Sequence, residues 1–499
     1  MQAQEPLSAT RLPVQLHLLH DWGGGAARWV ADYCRADRHR RNLILKPVAS
    51  VSGVGRRLAL FADLADPQPI ACWDLHRPIL ATAAAHPRYR AILREVVDVY
   101  GVQAIVVSSL VGHSLDGLET GLPTAVVLHD YYPFCPAVHI CYRDRREDGP
   151  GTICTSCPPQ RLAECLAHNE HHRFFRGLTV GEAWASRERF VAMVQSAGVT
   201  LVAPSPSVER HLRALEPRLA GARLRVIPHG IEPLPHVEAT RPARPKARLT
   251  AVVLGRLSPE KGLELAAQAL PGLTRQCDVV LLGCGESGRP LQRPGVTVIP
   301  AYDRCRLPEL LAGLQADFGL LLSFVPETFS YTLSELWACH VPPVAVNRGS
   351  LADRIEDGTT GFLIQPTVQG LLDQVDAIVA HPELLAAVRR NLAQLPHRSL
   401  QSMVAEHQEL LRVAPFPVGR CIRGSIAERL PTVAAGPHVR ADQTFEELLD
   451  QFYAAVRVKA ACSPRLRPWQ RGIARFVLAG GYKLVKLGCR LARLQSPQG

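Results

Sequence analysis

The sequence predicts an α/β fold: two Rossmann-like halves facing each other across a cleft, with a C-terminal helical extension. Three observations carry this reading. Short apolar strand runs alternate with helices in both halves, and glycine turns follow several of them. The stretch from Pro228 to Arg248 holds five prolines and reads as a linker between the halves. Beyond residue 413 the strand–helix alternation stops, and a second linker leads into basic helices. The expected division is 1–232, 245–413, a linker over 414–440, and helices over 441–499.

In the first half, Val14 to Leu19 reads as a strand. It runs into Trp22-Gly23-Gly24-Gly25, where Gly24 and Gly25 let backbone approach a ligand closely. A helix over Ala27 to Cys34 follows. Ala104 to Val107 and Ala125 to Leu128 are further strands. The second ends in His129-Asp130, at the carboxyl edge where open parallel sheets bind ligands. A strand-end histidine making structural hydrogen bonds is the plainer account of His129.

An insertion over about 131–172 is rich in Pro, Gly, Arg and Asp and lacks a core of its own. It carries Cys135, Cys141, Cys154, Cys157 and Cys165. Cys154-x2-Cys157 has the spacing of half a structural zinc site, which Cys135, Cys165 or Cys141 would complete, with His168, His171 and His172 as further donors. A mobile acceptor-binding loop with reduced thiols is the competing reading. Tyr131, Tyr132 and Phe134 would form a sugar platform or pack under the loop.

The second half opens with a strand over Leu249 to Leu254, a turn at Gly255 and a helix over Glu264 to Leu270. Arg256 and Lys261 project from the loop between them. Arg as a planar fork and Lys as a point charge together suit a diphosphate. Further on, Leu320 to Leu322 ends a buried strand, and Pro326 breaks it. Thr328, Phe329 and Ser330 then open a helix whose free N–H groups favour an anion. Glu327 sits at the mouth of that helix. Glu335 lies about two turns further on roughly the same face, placed to accept from ribose hydroxyls. Solvated surface charges would account for each of these residues taken singly.

Together, the G-R-x4-K-G loop and the Glu327-x7-Glu335 spacing resemble the retaining glycosyltransferases of family 4, which have the GT-B fold. "HDWGGGAARWV", "VAPSPSVERHL", "VIPHGIEPL" and "GTTGFLIQP" fit the same resemblance, over about Pro13 to Leu411. It implies a retaining hexosyltransferase that moves a sugar from a nucleotide-sugar donor to a glycan or lipid-linked glycan. It also implies that catalysis needs no metal. Arg256 and Lys261 would hold the diphosphate, Glu327 would face the sugar, and His129 would touch the sugar or shape the acceptor cleft. The Gly283-x-Gly285-x2-Gly288 run matches a dinucleotide fingerprint by letter. Arg289-Pro290 follows at once, so Gly283 reads instead as the family's glycine turn near the donor. Tyr302 falls where relatives contact the nucleotide base.

Composition agrees with a large soluble enzyme: 499 residues, 47% hydrophobic and 20% charged. No apolar run reaches the length of a membrane span, and the N-terminus lacks the features of an export signal. The expectation is a cytoplasmic protein with reduced thiols. The net charge of +12 is concentrated near the C-terminus, where 465–493 holds eight Arg or Lys and no acid. Its helical spacing of Lys483, Lys486, Arg490 and Arg493 beside a leucine stripe resembles an amphipathic helix on an anionic membrane. Residues 465–494 are therefore expected to lie on the inner face of the cell membrane, as for an enzyme of cell-surface polysaccharide synthesis. No nucleic-acid motif accompanies the charge. A GT-B epimerase and a non-catalytic sugar-nucleotide-binding subunit are the alternatives.

Overall fold

The computed structural model describes residues 12–413 apart from 49–54, 80, 145, 147–150, 173–174, 176–177, 197 and 235–247. The expected linker at 414–440, the helices at 441–499 and the basic segment 465–494 lie outside the described residues.

The first half is built on strands β1 (Val14–Leu18), β2 (Arg41–Val48), β3 (Gly55–Phe61), β4 (Ala71–Ile79), β5 (Val102–Val107), β6 (Thr124–Val127), β7 (Thr200–Ala203) and β8 (Leu224–Val226). Their order in the sheet is β8-β7-β6-β5-β1-β2-β3-β4. All neighbours are parallel except β2–β3 and β3–β4. That antiparallel edge has no counterpart in the sequence reading. Leu16 pairs with Leu43 on one side and Ile105 on the other, and all three are fully buried. These three share one face, while the other face joins Ile44, Ala104 and Val106 to a buried polar cluster of Gln15, His17 and Asn42.

The second half uses β9 (Thr250–Leu254), β10 (Asp278–Leu282), β11 (Val296–Ile299), β12 (Phe318–Leu321), β13 (Pro343–Val346) and β14 (Phe362–Ile364). They form one all-parallel sheet in the order β11-β10-β9-β12-β13-β14. The winding reverses between β9 and β12. Loops leaving the carboxyl ends of these two strands therefore diverge and leave a crevice. The loop after β9 carries Arg256 and Lys261, and the loop after β12 carries Glu327. The strand runs read from the sequence coincide with β1, β5, β6, β9 and β12 to within a residue or two at each end.

The chain then crosses back. Helix Leu400–Leu410 packs on the first half, against helix Gly24–Ala36. Ile231 N donates to Arg398 O at 3.1 Å. Met403 is fully buried, and its sulfur accepts from Trp29 Nε1 at 3.1 Å and Gly230 N at 3.2 Å. One thioether therefore satisfies two buried donors from separate segments of the first half. Met403→Ala opens a cavity and orphans both donors, so it should cost about 3–5 kcal/mol. Met403→Leu keeps the volume and removes only the acceptor, which should cost about 1–2 kcal/mol. Urea unfolding of the two variants separates these contributions. A Met403→Leu protein as stable as the parent would show that the sulfur contacts contribute nothing.

Candidate active site

The loop after β9 is shaped by Gly262. A short 3-10 turn, Pro259–Lys261, precedes helix Leu263–Gln276, and Gly262 between them has φ +84°. A Cβ at this position would lie 2.1 Å from Leu322 O. Only glycine lets the loop lie this close to the end of β12. Lys261 is thereby brought to Glu327, and its Nζ donates to Glu327 Oε1. Burial works to raise the Glu327 carboxyl, but the Lys261 charge and hydrogen bond outweigh it and hold it below the ordinary value. Glu327 is therefore an anion at neutral pH. Arg256, on the same loop, is exposed.

Thr328, Phe329 and Ser330 do not form helix. The helix spans Tyr331–Ala338, with Ser330 as its N-cap at φ +67°. Arg354 accounts for this. Its Nη1 donates to Phe329 O at 2.6 Å and Ser330 O at 3.0 Å, which keeps both carbonyls turned toward it. Its guanidinium lies over the Phe329 ring at 4.0 Å, and burial lowers its pKa to about 9. Thr328 Oγ1 instead crosses the cleft and donates to His129 O at 2.9 Å. The expected placement of Glu335 on one helix face with Glu327 is thus corrected: Glu327 lies outside the helix, and the two carboxylates have different neighbours.

Glu335 is 2% exposed. Its Oε1 takes Arg28 Nη1 from the first half at 2.8 Å and Arg304 Nε from the second at 2.8 Å. The Arg28 guanidinium also covers the Tyr331 ring at 3.9 Å. Arg28 Nη2, Arg304 Nη2 and Tyr331 Oη are buried without a hydrogen-bond partner among the described residues. Several unspent donors around one buried carboxylate are costly in a closed protein and need an explanation. Sequence spacing identifies neither arginine, because Arg28 comes from a distant segment and Arg304 from an unremarkable turn.

On the first-half wall, the His129 ring lies 5.2 Å from Trp29 and 5.1 Å from His229. His229 packs on Phe329 at 4.7 Å, and His407 on Trp29 at 5.2 Å. Neither His129 Nε2 nor His229 Nδ1 has a partner among the described residues. Burial, then the other histidines, lowers His129 to about 3 and pushes His229 well below the ordinary value. Next to His129, burial raises the Asp130 carboxyl to about 6, although it accepts from Tyr132 N at 2.8 Å. Asp130 is a titratable group at the cleft that letter patterns do not single out.

The remaining residues fall into place around these. Gly283 has φ +77°, and a Cβ there would lie 2.5 Å from Tyr302 Cε1, so the Tyr302 ring covers the glycine turn. The third glycine of that run opens no α-helix and lies within a short 3-10 segment, Glu286–Leu291. Gly24 and Gly25 start helix Gly24–Ala36 and are exposed, with Gly25 facing the Tyr331 ring across the cleft. The five insertion cysteines line one small cavity. Among the described residues, no group of three or more His, Cys, Asp or Glu side chains is arranged to hold a metal ion. The expectation of zinc at Cys135, Cys154, Cys157 and Cys165 is therefore not met there. These thiols serve otherwise: Cys135 Sγ accepts from Ile140 N at 3.3 Å and Cys165 Sγ from Asn169 Nδ2 at 3.1 Å. Burial pushes both thiols up.

Residues 238–394 match the family model of group 1 glycosyl transferases. A glycogen synthase of Pseudomonas syringae pv. syringae is 42% identical over 179 residues, covering 32% of this chain and 36% of that protein. The alpha-D-kanosaminyltransferase of Streptomyces kanamyceticus is 27% identical over 161 residues, 30% of this chain and 41% of that protein. The chain thus spans less than half the length of these curated relatives. Among solved structures, sucrose-phosphate synthase from Thermosynechococcus elongatus is similar, with a TM-score of 0.53 at 16% identity over 81% of this chain and 98% of that one. At this identity the likeness is one of fold, and the fold is GT-B. The likeness to group 1 glycosyl transferases thus lies in the second half of the chain, over 238–394. Among the described residues, no helix is long and apolar enough to cross a membrane.

The histidine layer makes the closed cleft sensitive to acid. His17, His129 and His407 have folded-state pKa values lowered to about 4, about 3 and about 4, chiefly by burial. Unfolded, each takes up a proton near the ordinary value of about 6.5. Their contribution to stability is thus complete above pH 6.5 or so and is lost progressively as pH falls toward 4. Melting temperature should decline between pH 7 and 4.5, and His407→Phe should flatten that decline. An identical slope in the variant would show that His407 does not contribute to it.

Proposed function

We propose that the chain transfers a hexose from a nucleotide-sugar donor to a glycan or lipid-linked glycan acceptor, with retention of anomeric configuration. The observation that carries this is the Lys261–Glu327 pair at the winding reversal of the second sheet, next to Thr328, whose hydroxyl donates to His129 O of the first half. Arg256 and Lys261 stabilise the diphosphate as charge grows on it during bond cleavage. Glu327, an anion beside the cation that holds the phosphate, accepts from sugar hydroxyls. Glu335 accepts from the ribose through Oε2, since both its ion pairs fall on Oε1. The unspent donors of Arg28, Arg304 and Tyr331 suit a ligand rich in oxygen acceptors. Closure of two halves around the donor excludes water, which limits hydrolysis of the activated sugar. The basic segment 465–494 supports an acceptor held at an anionic membrane.

Thermal shift with UDP-, GDP-, dTDP- and ADP-sugars tests this reading. One nucleotide sugar at about a hundredfold its Kd should stabilise the protein by about 2.7 kcal/mol. Arg256→Ala and Lys261→Ala should abolish the shift. Glu327→Ala should keep most of the shift and lose at least about a hundredfold in transfer. Absence of a shift with every donor would defeat the proposal. Unchanged turnover in Glu327→Ala would remove that residue from the mechanism.

A further inference from the structure

Three arginines and three acids from both halves form one ion-pair network around Glu335, and within it the charges balance. Arg28, in helix Gly24–Ala36 of the first half, has its Nε 3.5 Å from Asp32 Oδ2. Its Nη1 donates across the cleft to Glu335 Oε1 at 2.8 Å, and Arg304 Nε of the second half donates to the same oxygen at 2.8 Å. Arg35 shares Asp32 and is matched by Glu232 at 2.6 Å. What the network leaves over is hydrogen-bonding capacity rather than charge. Arg28 Nη2, Arg304 Nη2 and Tyr331 Oη are buried without a partner among the described residues, and neither bond to Glu335 falls on Oε2. The side chains of Arg28 and Arg304 are 23% and 26% exposed, against 3% for Glu335, so the cluster opens to solvent on its arginine side. A phosphate would add charge to a balanced network, whereas a neutral diol brings oxygen acceptors and hydroxyl donors together.

The position of this cluster relative to the loop after β9 follows from close contacts. Gly255, at the head of that loop and next to Arg256, has φ +97°, and a Cβ there would lie 3.0 Å from Thr332 Cγ2. Thr332 belongs to helix Tyr331–Ala338, and Glu335 lies three residues further along it, about one turn. On its other side Gly255 meets the glycine turn: a Cβ on Gly283 would lie 3.7 Å from Gly255 Cα and 2.5 Å from Tyr302 Cε1. The start of the Arg256 loop, the Tyr302 ring and the helix carrying Glu335 are therefore adjoining surfaces. A nucleotide with its diphosphate at Arg256 has the Glu335 cluster within reach of its sugar.

We propose that Arg28 is a ribose-recognition residue supplied by the first half: it holds Glu335 through Nη1 and gives its remaining Nη2 donor, with that of Arg304, to the oxygens of the ribose diol. This rests on the glycosyl-transfer reading above and narrows its donor to a ribonucleoside diphosphate sugar. Each ribose hydroxyl both donates and accepts, and a carboxylate flanked by guanidinium N–H groups offers both functions in one place. A 2′-deoxyribose leaves one of these groups without its partner, and a site built to bond a hydroxyl discriminates against the analogue that lacks it. Because Arg28 belongs to the first half and Arg304 to the second, the ribose contact is complete only with the two halves together. Nucleotide recognition and closure of the cleft are thereby coupled.

The test compares each nucleoside diphosphate with its own 2′-deoxy form: UDP with dUDP, GDP with dGDP, ADP with dADP and ribothymidine diphosphate with dTDP. Calorimetric Kd values are measured on the full chain for the parent, Arg28→Ala and Arg28→Lys. For the base the parent binds, the ribose form should be favoured about tenfold, the size of one hydrogen bond. Arg28→Ala should weaken the ribose form about tenfold and the deoxy form less than about twofold, so that the preference disappears. Arg28→Lys keeps the charge opposite Glu335 but loses the planar fork over Tyr331, and its preference should fall to about threefold. The lysine variant decides the question if the alanine variant does not fold. Equal weakening of both forms in the variant measured would overturn the assignment and leave Arg28 a structural tie between the halves. Unchanged affinities would place it away from the nucleotide. A parent that binds ribose and deoxy forms equally would also overturn it, while the glycosyl-transfer reading stands. A parent that binds none of these nucleotides defeats that reading itself, and the role of Arg28 with it.

Discussion

A carboxylate buried to the extent of Glu335 must be paired, because an isolated charge at that depth is too costly to keep. Its partners come from both halves of the chain: Arg28 from the helix after the first glycine turn, Arg304 from the turn after β11. Removal of either arginine would leave the carboxylate under-compensated, which is the expensive way to break a buried pair. Much of the cleft is arranged around this point. Arg28 also covers Tyr331, Tyr331 faces Gly25, and Tyr331 packs against His229. The two sheets therefore face each other across a polar core that neither half could bury alone.

A second closure lies about one helix away and has a different character. The Lys261–Glu327 pair is half-exposed on the lysine side, and it owes its position to a steric fact at Gly262. Screening makes such a pair a weak source of stability. Its value is geometric: it holds a cation and an anion at the point where the sheet winding reverses. Glu335 is thus held by cations from both halves, and Glu327 by one cation of its own half. The same spacing motif yields two carboxylates in unlike environments because the helix starts only at Tyr331 and leaves Glu327 outside it.

The sequence made the sheet strands and the donor-side loops legible, for a physical reason. A strand buried on both faces must be a short apolar run, and a loop leaving it toward a phosphate must be glycine-rich and basic. Arg256 and Lys261 follow from those local rules, whereas Glu327 comes from its spacing to Glu335 and Gly283 from the family resemblance. What was not legible depends on partners from far away. Arg28 and Arg304 look ordinary in sequence, and only the fold brings them to Glu335. The helix start was misread for the same reason, since Arg354 lies beyond the next strand and determines where Phe329 and Ser330 point. The cysteine spacing was read as half a metal site. In the fold the thiols line a cavity, and one of them caps the Ile140 N–H.

That last difference bears on how the insertion works. A loop of this composition cannot hold two β-branched residues at positive φ by local preference. Its shape has to be imposed from below, and the buried thiols, the Cys135 carbonyl and the Cys154 N–H together impose it. The loop is also fastened from above by Arg143 on Glu264 and by the stacking around Phe324, both on the donor half. A segment anchored to one half and fastened to the other is part of the wall between them, and its contacts with Phe324 hold it three residues from Glu327.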